Sequence, residues 1–209
     1  MRNQALRDTT IEEQTVNRYQ KIEKELRLVK PGWWERMVGS VPELAAFANT
    51  PQPWKYHAEG DVAVHTRLAV EACAADGDPD LLWAALLHDV GKPAATRETS
   101  GKITFHSHDA VGAEIAAKIL KRLGLPADRR ERIVWAVRHH TFHLSWNLNA
   151  PGQATRRQKR LVMDDRFPLL LELLRVDSRA SIGNPRGMQA YELYKRLRES
   201  ITADSEKVD

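Results

Sequence analysis

Four side chains that can bind a cation or move a proton, His65, His88, Asp89 and Asp177, fall in segments whose surroundings are apolar. The stretch Leu81–Lys92 reads LLWAALLHDVGK, so His88 and Asp89 stand side by side at the end of seven apolar residues. A buried, unpaired carboxylate loses several kcal/mol or changes its protonation state, so Asp89 requires a partner. At about 100° per residue, His65 shares a helix face with Leu68, Ala69 and Ala72. Asp177 shares one with Leu170, Leu173 and Leu174, opposite Glu172 and Arg175. Singly, such a histidine is usually a hydrogen-bonded core residue, and such an aspartate pairs with an arginine or caps a helix. No inward arginine offers itself here. Two imidazoles and two carboxylates from three core-facing helices are the set a divalent cation neutralises. Mixed O and N donors suit Mn, Fe, Co, Ni or Mg better than a structural zinc site, which prefers thiolates. Octahedral coordination would leave two positions for water and a substrate oxygen, where a metal lowers the pKa of water and neutralises a phosphoryl oxygen. Lys92, one turn past His88, is expected at the mouth of the site as a charge for phosphate, or as an ordinary helix-terminal cation.

These residues need helices to position them, and helical periodicity with clear stops dominates the chain. A charged amphipathic helix is expected over Ile11–Lys30, ended by Pro31-Gly32. SVPE at Ser40–Glu43 reads as a capping box opening a short helix through Ala48. Asp61 caps a helix to about Ala75, and Asp78-Pro79 open the next, which runs to Gly91-Lys92. KITFHS is the one segment with an extended pattern. Further helices are expected over Asp109–Leu123 and Asp128–His143, with a basic one at Thr155–Arg160. The last two cover Pro168–Ile182 and Gly187–Ile201, before a polar tail. The fold class is all-α.

Composition narrows the rest. With 32 basic and 28 acidic residues the formal charge is +4, compatible with phosphate-bearing partners but no nucleic-acid signature. The single cysteine, Cys73, excludes an internal disulfide and sits in a core-like helical pattern. The N-terminus has no apolar signal core and the longest apolar run is LLWAALL, so no membrane association is expected and the cytoplasm is the default compartment.

The ordered set His65, His88-Asp89, Asp177 resembles the H…HD…D pattern of the HD superfamily of metal-dependent phosphohydrolases. VPELAAFANTPQPWKYHAEGDVAVHT, AALLHDVGKPAAT and FHSHDAVGAEIAAKIL are similar to successive segments of the HD domain of bacterial CCA-adding enzymes, the tRNA nucleotidyltransferases. The likeness runs from Pro42 to His140 and extends more loosely to Asp177 through LLELLRVDSRAS. It implies an HD-domain helical bundle over 40–183, with a helical extension over 1–39 and a C-terminal helix and tail over 184–209. The polymerase head of those enzymes, with paired aspartates after a Gly-Ser turn, finds no match: no acidic pair follows Val38-Gly39-Ser40, and Asp164-Asp165 sits in a helical context. Hydrolysis, and not nucleotide addition, is therefore the expected chemistry.

The resemblance implies a metal-activated water acting on phosphate esters of nucleotides or RNA ends, as phosphatase, nucleotidase or cyclic phosphodiesterase. His65, His88, Asp89 and Asp177 would hold the metal, with Asp89 also orienting water and Lys92 steadying phosphate. His140 shares a face with Ile133 and Val137, whereas His139 lies on the side of Trp135. In dinuclear members further histidines hold a second metal. His108 and His140 are placed for that, for binding phosphate, or for hydrogen bonding within the cleft. His57 and His143 read as surface or loop residues. The expected partner is a small phosphorylated substrate, with RNA bound only weakly. Two rivals remain. One is an RNA- or tRNA-docking module without catalysis, favoured by TRRQKR and DRRER. The other is a di-iron oxygenase, which requires a second iron at His108 and His140.

Overall fold

The apolar segment ahead of His88 becomes a helix enclosed on nearly every side, and the other elements are arranged around it. The computed structural model describes residues 18–74, 77–145 and 150–205. Helix α1 (18–28) leads through a turn at Pro31-Gly32 to α2 (Trp33–Ser40) and a 3-10 helix at Pro42–Asn49. Next come α3 (Val62–Ala74), α4 (Pro79–Leu87) and the short α5 (Lys92–Ala95). A hairpin of β1 (Arg97–Thr99) and β2 (Lys102–Thr104) precedes α6 (His108–Arg122) and α7 (Ala127–His139). The chain continues through α8 (Phe142–Ser145), α9 (Arg156–Val162), α10 (Phe167–Ala180) and α11 (Arg186–Ser205).

Asp80–Leu87 of α4 are all buried, because α3, α7 and α10 pack around this helix. The one charge in that run, Asp80, sits in the first turn, where the helix dipole favours it. It accepts from Arg129 at 2.7 Å and pairs with Arg132 at 2.9 Å, while Arg129 also reaches Glu23 of α1 at 2.8 Å. A second core forms where α10 meets α11, around Phe142, Phe167, Leu170 and Tyr194. Cys73 is buried and donates to the Ala69 carbonyl.

Most expected helices are present, and the differences have local causes. The SVPE capping box does not form. Ser40 ends α2 instead, donating to the Arg36 carbonyl, and the Glu43 carboxylate is drawn away by Arg122. Residues Trp33–Ser40, which the sequence pattern leaves unassigned, bury Trp33, Trp34 and Met37. The helix from Pro79 ends at Leu87, not Gly91, so His88 and Asp89 lie in the turn that follows it. The 128–143 segment breaks after His139 into α7 and α8. KITFHS is extended only at Lys102–Thr104, where it pairs antiparallel with Arg97–Thr99 across Ser100-Gly101. Both turn residues have positive φ, 50° and 72°, as a primed hairpin turn requires. Asp61 accepts from the Val64 N–H, and Thr155 forms a full capping box with Gln158, so both of these starts are as expected. The start of the Ile11–Lys30 helix, most of the SWNLN segment and the last tail residues lie outside the described residues.

Candidate metal centre

Three histidines share one local device. His88 follows the last residue of α4, and its Nδ1 donates to the Ala85 carbonyl at 2.8 Å. His140 stands in the same position after α7 and donates to the Val137 carbonyl at 2.7 Å. His108 opens α6 and donates to the Phe105 carbonyl at 2.8 Å. A carbonyl oxygen can only accept, so each Nδ1 carries the proton and each Nε2 offers a lone pair. The fourth imidazole, His65 of α3, donates its Nδ1 proton to Glu59 Oε1 at 2.8 Å.

The Nε2 atoms converge in two pairs. Those of His65 and His88 are 3.2 Å apart, and those of His108 and His140 are 3.0 Å apart. Lone pairs at such distances repel unless a proton or a cation lies between them. Asp89 stands between the pairs. Its Oδ2 is 3.2 Å from His88 Nε2, and its Oδ1 is 3.5 Å and 3.6 Å from the Nε2 atoms of His108 and His140. Asp177 Oδ1 lies 2.9 Å from His65 Nε2 and 3.9 Å from His88 Nε2. His65, His88 and Asp89 thus form one group that could hold a metal ion, and Asp89, His108 and His140 form another. The donor set fits divalent cations: two carboxylates and the ring Nε2 atoms of four histidines face one another in an enclosed cluster.

Charge in this cluster is balanced locally. Burial works against ionising Asp89, but His88 and Lys92 overcome it and hold the carboxyl well below the usual range. Asp177 behaves likewise through its hydrogen bond to His65. Burial opposes a proton on His65 too, yet Asp177 and Glu59 hold its pKa up at about 9. His108 goes the other way, to about 4, because burial and the neighbouring His140 both disfavour its charge. Lys92 is not at the mouth of the site. It is buried, with Nζ 2.6 Å from Asp89 Oδ2 and donating to Gln52 Oε1 at 2.6 Å. This lysine is the partner that the apolar run before Asp89 demands.

Glu59 is the site residue that sequence reasoning misses. Its Oε1 accepts from the Nδ1 atoms of both His57 and His65 at 2.8 Å, and its Oε2 accepts from the Ile182 N–H. The contact to His65 fixes that ring in the way carboxylates commonly orient histidines that ligate metals. The one signal in the sequence is the HAEGD turn just ahead of the α3 cap, and it carries no periodicity. His57 lies in a loop as expected but packs edge-on against His65, with ring centroids 4.9 Å apart. His143 belongs to α8 and is only partly exposed, against the expectation of a surface residue. Its Nδ1 is enclosed without a hydrogen-bond partner, and burial pushes its pKa down. His106 is exposed and stands apart.

A cavity of 380 Å³ opens over this cluster, with Asp89, Lys92, His108, His140 and Asp177 along its lining. Tyr56, Phe105 and Leu144 add apolar wall, and Ser181, Asn184 and Arg186 come from the α10–α11 connection. No helix of the described residues is long and apolar enough to cross a membrane.

Comparison with known proteins agrees with the geometry. The multifunctional CCA protein of Teredinibacter turnerae is 36% identical over 112 residues, which is 53% of this chain and 27% of that protein. That of Hahella chejuensis is 32% identical over 146 residues, 68% of this chain and 34% of the relative. The A-adding tRNA nucleotidyltransferase of Deinococcus radiodurans is 38% identical over 110 residues, 52% and 24% respectively. The chain therefore matches roughly a quarter to a third of the length of these relatives. The family model for the HD domain matches residues 62–176, more than half of the chain, taking in His65, His88, Asp89, His108 and His140 and stopping one residue short of Asp177. With an all-α bundle and the ordered histidines and aspartates in one cluster, this chain belongs to the HD-domain family.

Proposed function

We propose that this chain is a metal-dependent phosphohydrolase acting on nucleotides or RNA ends. One observation carries the reading: four imidazole Nε2 atoms and two carboxylates converge in one cluster, and His108, His140, Asp89 and Asp177 of that cluster line a ligand-sized cavity. His65, His88, Asp89 and Asp177 would hold one divalent cation. His108 and His140, with Asp89 shared, would hold a second or steady the phosphate. A bound cation supplies a Lewis acid and a more acidic water at neutral pH. Asp89 fixes the relative placement of the two histidine pairs, because each of its oxygens serves one pair. Glu59 holds the His65 ring so that Nε2 faces Asp177. Lys92 keeps a positive charge in the lining while compensating Asp89, and Asp177, 20% exposed, faces the cavity.

The test is phosphate release by protein stripped with chelator and reloaded with Mn, Fe, Co, Ni or Mg. Phosphomonoesters, nucleotides and 2′,3′-cyclic nucleotides are the substrates. Metal-dependent release from at least one class is expected; metal binding with no release from any would favour the docking module. Exposed Arg156, Arg157, Lys159 and Arg160 of α9 are where that rival would place RNA, but Gln158 and Val162 are the buried side of the same helix. A charged face opposite a packed one is ordinary, and screening acts within about 8 Å at physiological salt. Replacing all four by alanine should leave small-nucleotide hydrolysis intact while reducing a weak, salt-sensitive RNA affinity. The second histidine pair also meets the condition set by the oxygenase rival. Oxygen consumption by the iron-loaded protein, without phosphate release, would favour that chemistry.

Metal affinity should rise with pH. His65 keeps a proton up to about 9, and that proton must leave Nε2 before it can ligate. Affinity is thus lost as pH falls below that value. Calorimetric titration of Mn²⁺ should show a gain of about tenfold per unit between about pH 6 and about pH 8. A flat profile would remove His65 from the ligand set.

A further inference from the structure

We propose that Arg186 forms an anion subsite beside the metal centre, and that the ligands of this cavity are small nucleotides carrying a second phosphate on the sugar. The identity of the first subsite rests on the phosphohydrolase reading; the Arg186 subsite is a claim about binding. The positive charge on Lys92 is already engaged by Asp89 and Gln52. Arg186 also lines the cavity, and its guanidinium has no hydrogen bond or ion pair among the described residues; only its backbone N–H is engaged, by Asn184 Oδ1. The arginines set against acids elsewhere are not available in this way: Arg129 serves Asp80, Arg122 serves Glu43 and Arg166 serves Asp164.

An unpaired surface arginine is unremarkable by itself, but the backbone of this one is pinned to the site. Gly187, the next residue, lies so close to α10 that an added Cβ would sit 2.1 Å from Ser178 Oγ. Ser178 follows Asp177, so the start of α11 is held against the helix turn that carries a candidate ligand. The connection between the two helices is braced again where Ile182 donates to Glu59 and accepts from the Ala58 N–H. The Arg186 backbone is therefore held at the cavity by packing, while its side chain, exposed and lining that cavity, keeps its fork of donors for a ligand. A guanidinium in that state matches phosphate in bidentate fashion. One phosphate belongs at the histidine cluster, so the group at Arg186 is a second one. The cavity, at 380 Å³, lies near the lower end of the roughly 300–1,000 Å³ usual for ligand sites. It suits a nucleotide, with Tyr56 and Phe105 offering aromatic surface for sugar and base.

Phosphonate analogues, which resist hydrolysis, separate binding from turnover. Calorimetry on the full chain with Mn²⁺ would compare adenosine bearing phosphonates at both the 3′ and 5′ positions with adenosine bearing one. The wild-type protein should prefer the doubly charged analogue about tenfold, the scale of one charge-assisted, bidentate phosphate contact from an exposed arginine. Arg186→Ala should reduce that preference to less than about twofold, Arg186→Lys should restore part of it, and Arg156→Ala on α9 should retain it. No wild-type preference, equal preference in Arg186→Ala, or no binding of either analogue would overturn the subsite. An oligoribonucleotide ending in a 3′-phosphonate that binds far more tightly than both would overturn the small-nucleotide assignment. Should the preference hold while no phosphoester is hydrolysed, the subsite stands and the phosphohydrolase reading falls.

Discussion

Asp89→Asn is expected to abolish metal binding and to destabilise the protein even before metal is removed. Asn keeps the shape of the side chain, so the change is one of charge. Asp89 is 1% exposed and compensates buried Lys92, whose ammonium lies 2.6 Å away. Removing one partner of a buried pair leaves an uncompensated charge, at about 3–5 kcal/mol. The same carboxylate belongs to both ligand groups, so the His108–His140 pair loses its anionic oxygen donor and the His65–His88 pair is left with Asp177 alone. Thermal melts with and without chelator, and elemental analysis after dialysis, test both parts. The chelator-induced drop in Tm seen for the wild type should vanish in the variant. Adding Lys92→Met should recover part of the stability without recovering metal, since it removes the stranded charge. If Asp89→Asn retains its metal content and responds to chelator as the wild type does, the ligand assignment is wrong.

Gly91→Ala should be nearly as damaging, for a steric reason. Gly91 has φ −83° and ψ −17°, a conformation any residue adopts, so alanine meets no backbone strain there. The added Cβ would instead stand 2.1 Å from the His108 carbonyl oxygen and 2.5 Å from the Gly112 nitrogen. Both are backbone atoms of α6 and cannot rotate away. Either the turn carrying His88 and Asp89 moves or the start of α6 does, and His108 moves with the latter. Overpacking of this kind removes about 1–3 kcal/mol, occasionally more, and the contact distances place this case at the upper end. Urea unfolding of chelated protein should show the loss, and metal titration should show fewer ions bound at saturation or weaker binding. Gly112→Ala is the milder comparison, because its Cβ would come no closer than 3.2 Å to Gly91 N. Equal stability and equal metal stoichiometry in Gly91→Ala and wild type would refute this account of how α6 is seated.

Much of the site is legible in the order of the residues alone. His65 and Asp177 read as inward because helical periodicity is a property of neighbours in sequence. The same arithmetic separates His140 from His139. Asp89 is marked by its place after a run with no polar face, and Asp61 and Asp78 by the residue types that cap helices. Those inferences need only local geometry.

Tertiary structure decides the rest. Lys92 reads as a charge for phosphate at the mouth of the site or as an ordinary helix-terminal cation, but the helix stops at Leu87 and the turn at His88–Gly91 carries the lysine inward to Asp89. Gly91 reads as a helix stop; its actual constraint is the backbone of α6, which only packing brings near. Glu59 has no periodic pattern to reveal it, since it stands in a loop and its backbone partner Ile182 is 123 residues away. The sharing of Asp89 between two histidine pairs depends on α6 and α7 meeting beside the turn after α4. Sequence alone therefore determined that His65, His140 and Asp177 face inward on their helices, because that follows from the 3.6-residue repeat. Which of them meet, and which cation compensates which anion, was decided by the close approach of segments far apart in the chain, where distances of a few ångströms set both charge balance and ligand geometry.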